Sequence, residues 1–181
     1  LLLGYAASEI FMSNIVGLDA EWDGGKQNAD ICVLQLSTRS VRFVLDLTVL
    51  SLDFVKRFLD AIFHDKNRII LGFNSVKHDF SKLRRQYLLT EQVKANVLDL
   101  ETMFFCAKYD TIGGDHQKLG LKAMCEQVLK MTLDKTEQQS CWSKRPLTQS
   151  QIKYAANDAS VLIEIYDEMR RHNSGTFSFC C

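Results

Sequence analysis

The stretch NIVGLDAEW, Asn14 to Trp22, is a short apolar run that closes on two acids and is cut off by Asp23, Gly24 and Gly25. Such a run reads as a buried strand followed by a tight turn. Residues two apart on a strand leave the same face, so Asp19 and Glu21 can meet one cation between them at the strand's end. Outward from this strand, ICVLQLST (31–38) and VRFVLDL (41–47) are β-branched and aromatic runs separated by a few polar residues. That is the pattern of antiparallel neighbours and predicts a three-strand meander. Between Leu52 and Phe63, apolar residues recur at Phe54, Val55, Phe58, Leu59 and Ile62, the spacing of a helix that returns the chain. RIILGF (68–73) reads as a buried parallel strand, and VKHDFSKLRRQYLL (76–89) follows with helical spacing, with Asn74 and Ser75 offering N-cap oxygens. VLDL (97–100) predicts a last short strand that leads into a helix through Phe104 and Cys106. After Gly113, Gly114 and Gly120, both LGLKAMCEQVL and QSQIKYAANDASVLIEIYDEMRR carry helical periodicity. A meander followed by alternating helices and short strands predicts an α/β layer fold with a mixed sheet.

The 181 residues fit one domain, 1–181, with one core, and no repeat, low-complexity tract or linker divides them. With 46% hydrophobic and 24% charged residues and one proline, disorder is not the default. No apolar run approaches the ~20 residues needed to span a bilayer, so no membrane partner is expected. The apolar opening from Leu1 without an initiator Met is expected of a domain taken from a longer protein, with Leu1 to Phe11 helical. Six scattered cysteines form no CxxC pair, which argues against zinc and for a reducing compartment, cytoplasm or nucleus. The formal net charge of zero neither advertises nor excludes nucleic acid, because a carboxylate-rich site can offset basic residues elsewhere.

Asp-x-Glu alone is a weak signal, and VLDLET holds a second copy, Asp99 and Glu101. Context favours the first, because the second straddles a strand-to-helix junction where Asp99 can cap the helix and Glu101 can favour its first turn. Asp79 stands early in a helix just past RIILGF, where a carboxylate can face the Asp19 pair or simply complement the helix dipole. In YAAND, Tyr154 and Asp158 are four apart and project from one helix face. The small residues Ala155, Ala156 and Ala159 around them let that helix pack closely on a sheet and turn both groups inward.

VGLDAEW, LGFNSVKHDF and YAANDASVLIEIYDEM resemble the three motifs of the DEDDy branch of the DEDD exonucleases, the branch of RNase D and the Werner exonuclease domain. The segment LDKTEQQSCWSKRPLTQSQIKYAANDA is similar to the one before the third motif in RNase D-like proteins, above all the Nibbler-type RNA-trimming exonucleases. The resemblance implies an RNase H-like fold, with Asp19, Glu21, Asp79 and Asp158 as metal ligands and Tyr154 as the distinguishing tyrosine. It also implies removal of nucleoside 5′-monophosphates from the 3′ end of single-stranded nucleic acid. RNA is favoured over the DNA of Werner-type domains, and an Argonaute or Piwi protein would present the small RNA. A degenerate, inactive scaffold is the reading from a different class; the presence of all four acids and the tyrosine speaks against it.

The chemistry suits these residues. Two divalent ions roughly 3.5 to 4 Å apart can serve both the attacking and the leaving oxygens of a phosphodiester. Oxygen-only ligands favour Mg²⁺ or Mn²⁺. A tyrosine hydroxyl with an ordinary pKa near 10 orients water rather than accepting its proton. Trp22, by stacking, is a candidate contact to the terminal nucleotide, and the resemblance implies the same of Asn74, which stands just before the second motif. Lys77, Lys82, Arg84, Arg85, Lys135, Lys144 and Arg145 are candidate backbone-phosphate contacts.

Overall fold

The computed structural model describes residues 2–24, 29–74, 78–89, 97–109 and 119–172. Helix α1 (Leu2–Met12) precedes β1 (Ile15–Glu21), β2 (Val33–Ser37) and β3 (Arg42–Asp46). Then come α2 (Leu52–Phe63), β4 (Ile69–Gly72), α3 (Asp79–Tyr87), β5 (Val97–Asp99) and α4 (Leu100–Tyr109). The short α5 (Leu121–Met124) runs into a π-helical turn, Cys125–Leu129, before the 24-residue α6 (Gln149–His172). The five strands lie in the order β3-β2-β1-β4-β5, with β1, β2 and β3 antiparallel and β4 and β5 parallel to β1. This is the mixed sheet expected, meander included.

Alternation along β1 sorts its side chains between two layers. Val16, Leu18 and Ala20 enter one core with Ile10 of α1, Val55, Leu59 and Ile62 of α2, and Phe80 and Leu83 of α3. On the opposite face Ile15 joins Leu71, Leu100, Met124 and the α6 residues Leu162, Ile165 and Tyr166. Gly17 is what lets α6 lie so close. A Cβ there would stand 2.3 Å from the Ala159 carbonyl oxygen and 2.7 Å from Ser37 Oγ, and the Ser37 hydroxyl itself donates to that carbonyl at 2.6 Å. The alanines of YAANDA therefore act as their size predicts.

Two buried or capping polar groups fix the helix ends. The Arg68 side chain is 2% exposed and donates to the carbonyls of Phe11, Ser13 and Ile62, so one guanidinium satisfies the C-terminal ends of α1 and α2. At the start of α6, Gln151 N donates to Thr148 Oγ1 at 3.1 Å and Thr148 N donates to Gln151 Oε1 at 2.9 Å, a reciprocal capping box. For α3 the expected cap differs. The N-cap is His78, without a side-chain hydrogen bond, and Asn74 sits upstream with φ 51. Asn tolerates that left-handed conformation and turns the chain out of β4 instead of capping the helix. Ser75 lies outside the described residues.

Candidate active site

β1 pairs with β4 over Ile15–Gly17 and with β2 over Gly17–Glu21, so Asp19 and Glu21 lie beyond the last parallel pair. At that end of the sheet α6 crosses the face that carries them. Asp158 comes down from α6, and one carboxylate oxygen each of Asp19, Glu21 and Asp158 falls within 4.8 Å of the others. Asp158 is 1% exposed and Glu21 8%. Asp79, the first residue of α3, is also buried, and its carboxyl feels the charges of Asp19 and Asp99. Tyr154 stands one turn before Asp158 on the same face of α6, buried against Trp142 with ring centroids 5.9 Å apart.

Burial and mutual repulsion set the protonation of this cluster. Burial first, then the Asp158 charge, raises the Asp19 carboxyl to about 7. Burial, with Asp19 and Asp158 beside it, pushes Glu21 up to about 10. Asp79 is raised well above the carboxylate range by burial and by Asp19. Asp158 is raised by burial and pulled back by Lys135. The Tyr154 hydroxyl is driven far up by burial and by the Asp158 and Glu21 charges, so it keeps its proton at neutral pH.

Lys135 is the residue whose role sequence reasoning misassigned. Instead of facing a nucleic-acid backbone from the surface, its ammonium points into the cluster, 2.7 Å from Asp158 Oδ2 and 3.5 Å from the Tyr154 hydroxyl. It is the positive charge felt by Asp19, Glu21 and Asp158 alike. The loop carrying it is tied down at several points. Ser143 donates from its backbone and hydroxyl to the Asp23 carboxylate, and Gln151 Nε2 donates to Ser140 Oγ. Arg145, another candidate phosphate contact, clamps Asp46 with two bonds of 2.5 Å and the Trp142 carbonyl with a third. Lys82 donates to the Ala29 carbonyl and lies 4.6 Å from the Trp22 ring centroid, while Arg85 pairs with Asp30. Lys77 lies outside the described residues.

The remaining sequence-selected residues separate. Trp22 continues the strand alternation past Glu21 and packs with the core on the α2 and α3 side, away from the acids. Asn74 stands at the exit of β4, half-buried. The second Asp-x-Glu copy is structural: Asp99 Oδ1 accepts from the Glu101 backbone at 3.0 Å, and Glu101 Oε1 accepts from Leu119 N. Gln35, directly across from Asp19 on β2 and on the same face, was overlooked. Its amide is fully buried and without a hydrogen-bond partner among the described residues.

The donor set fits a hard divalent cation. It is all carboxylate oxygen, and the second oxygen of Asp158, Oδ1, is buried without a hydrogen-bond partner among the described residues. An acid cluster at the carboxyl end of a central strand, crossed by a helix that adds a further acid and a tyrosine, defines a nuclease of the DEDD class. The chain belongs to the 3′-5′ exonuclease family, whose model matches residues 3–173. It is 27% identical over 177 residues to the human exonuclease mut-7 homolog, covering 87% of this chain and 20% of that protein. The chain thus spans about a fifth of the length of that relative. Among solved structures, the Aedes aegypti Nibbler EXO domain superposes with a TM-score of 0.81 at 22% identity, covering 94% of this chain and 84% of that one. Trypanosoma brucei RNase D in complex with RNA U12 superposes with a TM-score of 0.78 at 20% identity, covering 98% and 61%. These likenesses place the fold among RNase H-like exonuclease domains.

Proposed function

We propose that this domain removes nucleoside 5′-monophosphates from the 3′ end of single-stranded RNA with the help of two divalent cations, Mg²⁺ or Mn²⁺. The observation that carries the reading is the convergence of Asp19, Glu21 and Asp158 within 4.8 Å beside the buried Tyr154. Asp19, Glu21, Asp158 and, from the α3 side, Asp79 would hold the cations. Such ions supply a lowered pKa for water and charge neutralisation of the phosphate. Tyr154, which keeps its proton at neutral pH, orients water through its hydroxyl and does not act as the base. Asn74 at the β4 exit is the proposed contact to the terminal nucleotide; Trp22, packed on the opposite face of the strand, is withdrawn from that role.

RNA is favoured by the RNase D and Nibbler-type segment before Tyr154, and by an RNA complex among proteins of the same fold. On the same resemblance, the natural substrate is a small RNA presented by an Argonaute or Piwi protein, in the reducing compartment that free Cys32, Cys106, Cys125 and Cys141 suit.

The test is time-resolved gel analysis of 5′-labelled single-stranded RNA and matching DNA with Mg²⁺ or Mn²⁺. EDTA and an Asp19→Ala, Glu21→Ala double variant serve as controls. A metal-dependent ladder shortening from the 3′ end, faster on RNA, is expected. A faster DNA ladder transfers the reading to DNA, and no ladder on either from folded protein returns it to a scaffold.

A further inference from the structure

The position of Lys135 raises a question that the carboxylates alone do not. Its ammonium is 2.7 Å from Asp158 Oδ2 in a place where Asp158 is 1% and Lys135 21% exposed, so the pair is largely shielded from water. The same ammonium lies 5.4 Å from the Tyr154 ring centroid, inside the site rather than at its rim. A divalent ion bound to either Asp158 oxygen, at a ligand distance of about 2.1 Å, must come within roughly 7 Å of that ammonium as it stands.

Two effects then compete. Lys135 fixes the Asp158 carboxylate, and an outer partner that orients a ligand typically strengthens metal binding about 10- to 100-fold. Against this stands the repulsion between a doubly charged ion and an ammonium at that separation. With an effective dielectric near 20 it weakens binding on the order of a thousandfold. Repulsion wins by roughly one to two orders of magnitude, so a bound ion would favour breaking the contact.

We propose that Lys135 is an internal counter-ion, holding the acid cluster together when no metal is bound and displaced from Asp158 when metal binds. The inference rests on Asp158 being a metal ligand. The movement needs only the flexible lysine stem, because the loop around it stays anchored through Asp23 to Ser143 and Asp46 to Arg145. Oδ1 of Asp158, without a hydrogen-bond partner among the described residues, would be open to an ion, while Oδ2 is the oxygen the ammonium holds.

The test uses Mn²⁺ alone, without nucleic acid, in calorimetric titrations of the wild-type chain and of Lys135→Met and Lys135→Arg, with melting curves in EDTA and in saturating Mn²⁺. Lys135→Met is expected to bind Mn²⁺ at least about tenfold more tightly than wild type. It should melt lower in EDTA and gain more from Mn²⁺. Lys135→Arg, which keeps the charge, should bind like wild type. Should the Met variant not fold, acylation of lysines in the wild-type chain, read by mass spectrometry, answers the same question. Lys135 should be protected in EDTA and reactive in Mn²⁺. Equal or weaker binding by a folded Lys135→Met variant, or a Lys135 reactivity that Mn²⁺ leaves unchanged, overturns the counter-ion. A wild-type chain that takes up no Mn²⁺ at all overturns instead the metal reading of Asp158, and this proposal with it.

Discussion

Gly17 and Ala159 meet backbone to backbone, with room for no side chain between them: a methyl group on Gly17 would lie 2.3 Å from the Ala159 carbonyl oxygen. The obstacle is helix backbone rather than the end of a flexible side chain, so α6 itself has to move. Gly17→Ala is expected to cost about 1 to 3 kcal/mol, the usual range for overpacking. It should also weaken Mn²⁺ binding, since Asp158 is the residue just before Ala159 on the same helix. Urea melts and calorimetry check both. A variant with wild-type stability and affinity would show that α6 yields without disturbing the acids.

Tyr154 and Asp158 share a helix face, and the proposed function gives them separable duties. Tyr154→Phe keeps the ring that packs on Trp142 and removes only the hydroxyl, so turnover should fall by roughly 100-fold, the floor of the range for proton-transfer groups, because this hydroxyl orients water without taking its proton. Mn²⁺ affinity should fall much less than turnover, because no proposed ligand atom is lost. Asp158→Asn should reduce both. Equal loss of Mn²⁺ affinity in the two variants would contradict this division.

The raised carboxyls make the metal-stripped protein sensitive to pH in a direction opposite to that of ordinary salt-bridged acids. Asp19 at about 7 and Glu21 at about 10 hold protons in the fold that the unfolded chain releases near its ordinary carboxylate values. Their contribution to stability is complete below those ordinary values. It is lost as pH rises through about 7 for Asp19 and then about 10 for Glu21. Melting temperature in EDTA should therefore decline from pH ~5 to ~9. Mn²⁺ must expel the same protons, so its affinity should climb over that range. Differential scanning measurements and calorimetry across pH provide the check. A flat EDTA profile would mean that the acids are already ionised.

Arg145 and Asp46 form a two-bonded pair that is only about a quarter exposed on each side. Removing either partner should cost about 1.5 to 3 kcal/mol, the range for hydrogen bonds to charged groups. Because both substitutions break the same contact, the double variant should be far less destabilised than the sum. Additive losses in a double-mutant cycle would show that the two residues act independently.

Much of this site was legible because strand and helix periodicities are local. Two-residue spacing places Asp19 and Glu21 on one face, and four-residue spacing does the same for Tyr154 and Asp158. The alanine-rich surround correctly implies a helix pressed against a sheet. What local spacing does not carry is the return of a loop. Lys135 is far in sequence from the strand whose acids it neutralises, and in isolation it looks like any solvated cation. Trp22 was within reach of the alternation rule, which sends it to the face opposite Glu21. Gln35 left a signal as well: an amide in the middle of the apolar run ICVLQLST is out of place unless that position faces something polar. The T-x-x-Q box at Thr148 and Gln151 was likewise present in the letters and marks the start of α6.

Helix α6 belongs to two buried clusters at once. Tyr154 and Ala155 join Cys32, Val33 and Trp142, while Leu162, Ile165 and Tyr166 join the α4 and α5 side. An element held at both ends has no inexpensive local opening. Fluctuations that expose Asp158 are therefore expected near the cost of global unfolding, and amide exchange along its middle turns should be among the slowest in the molecule. On the proposed function, a polynucleotide end would then reach the acids from the side on which Asp19 is already partly exposed, over a framework that stays shut.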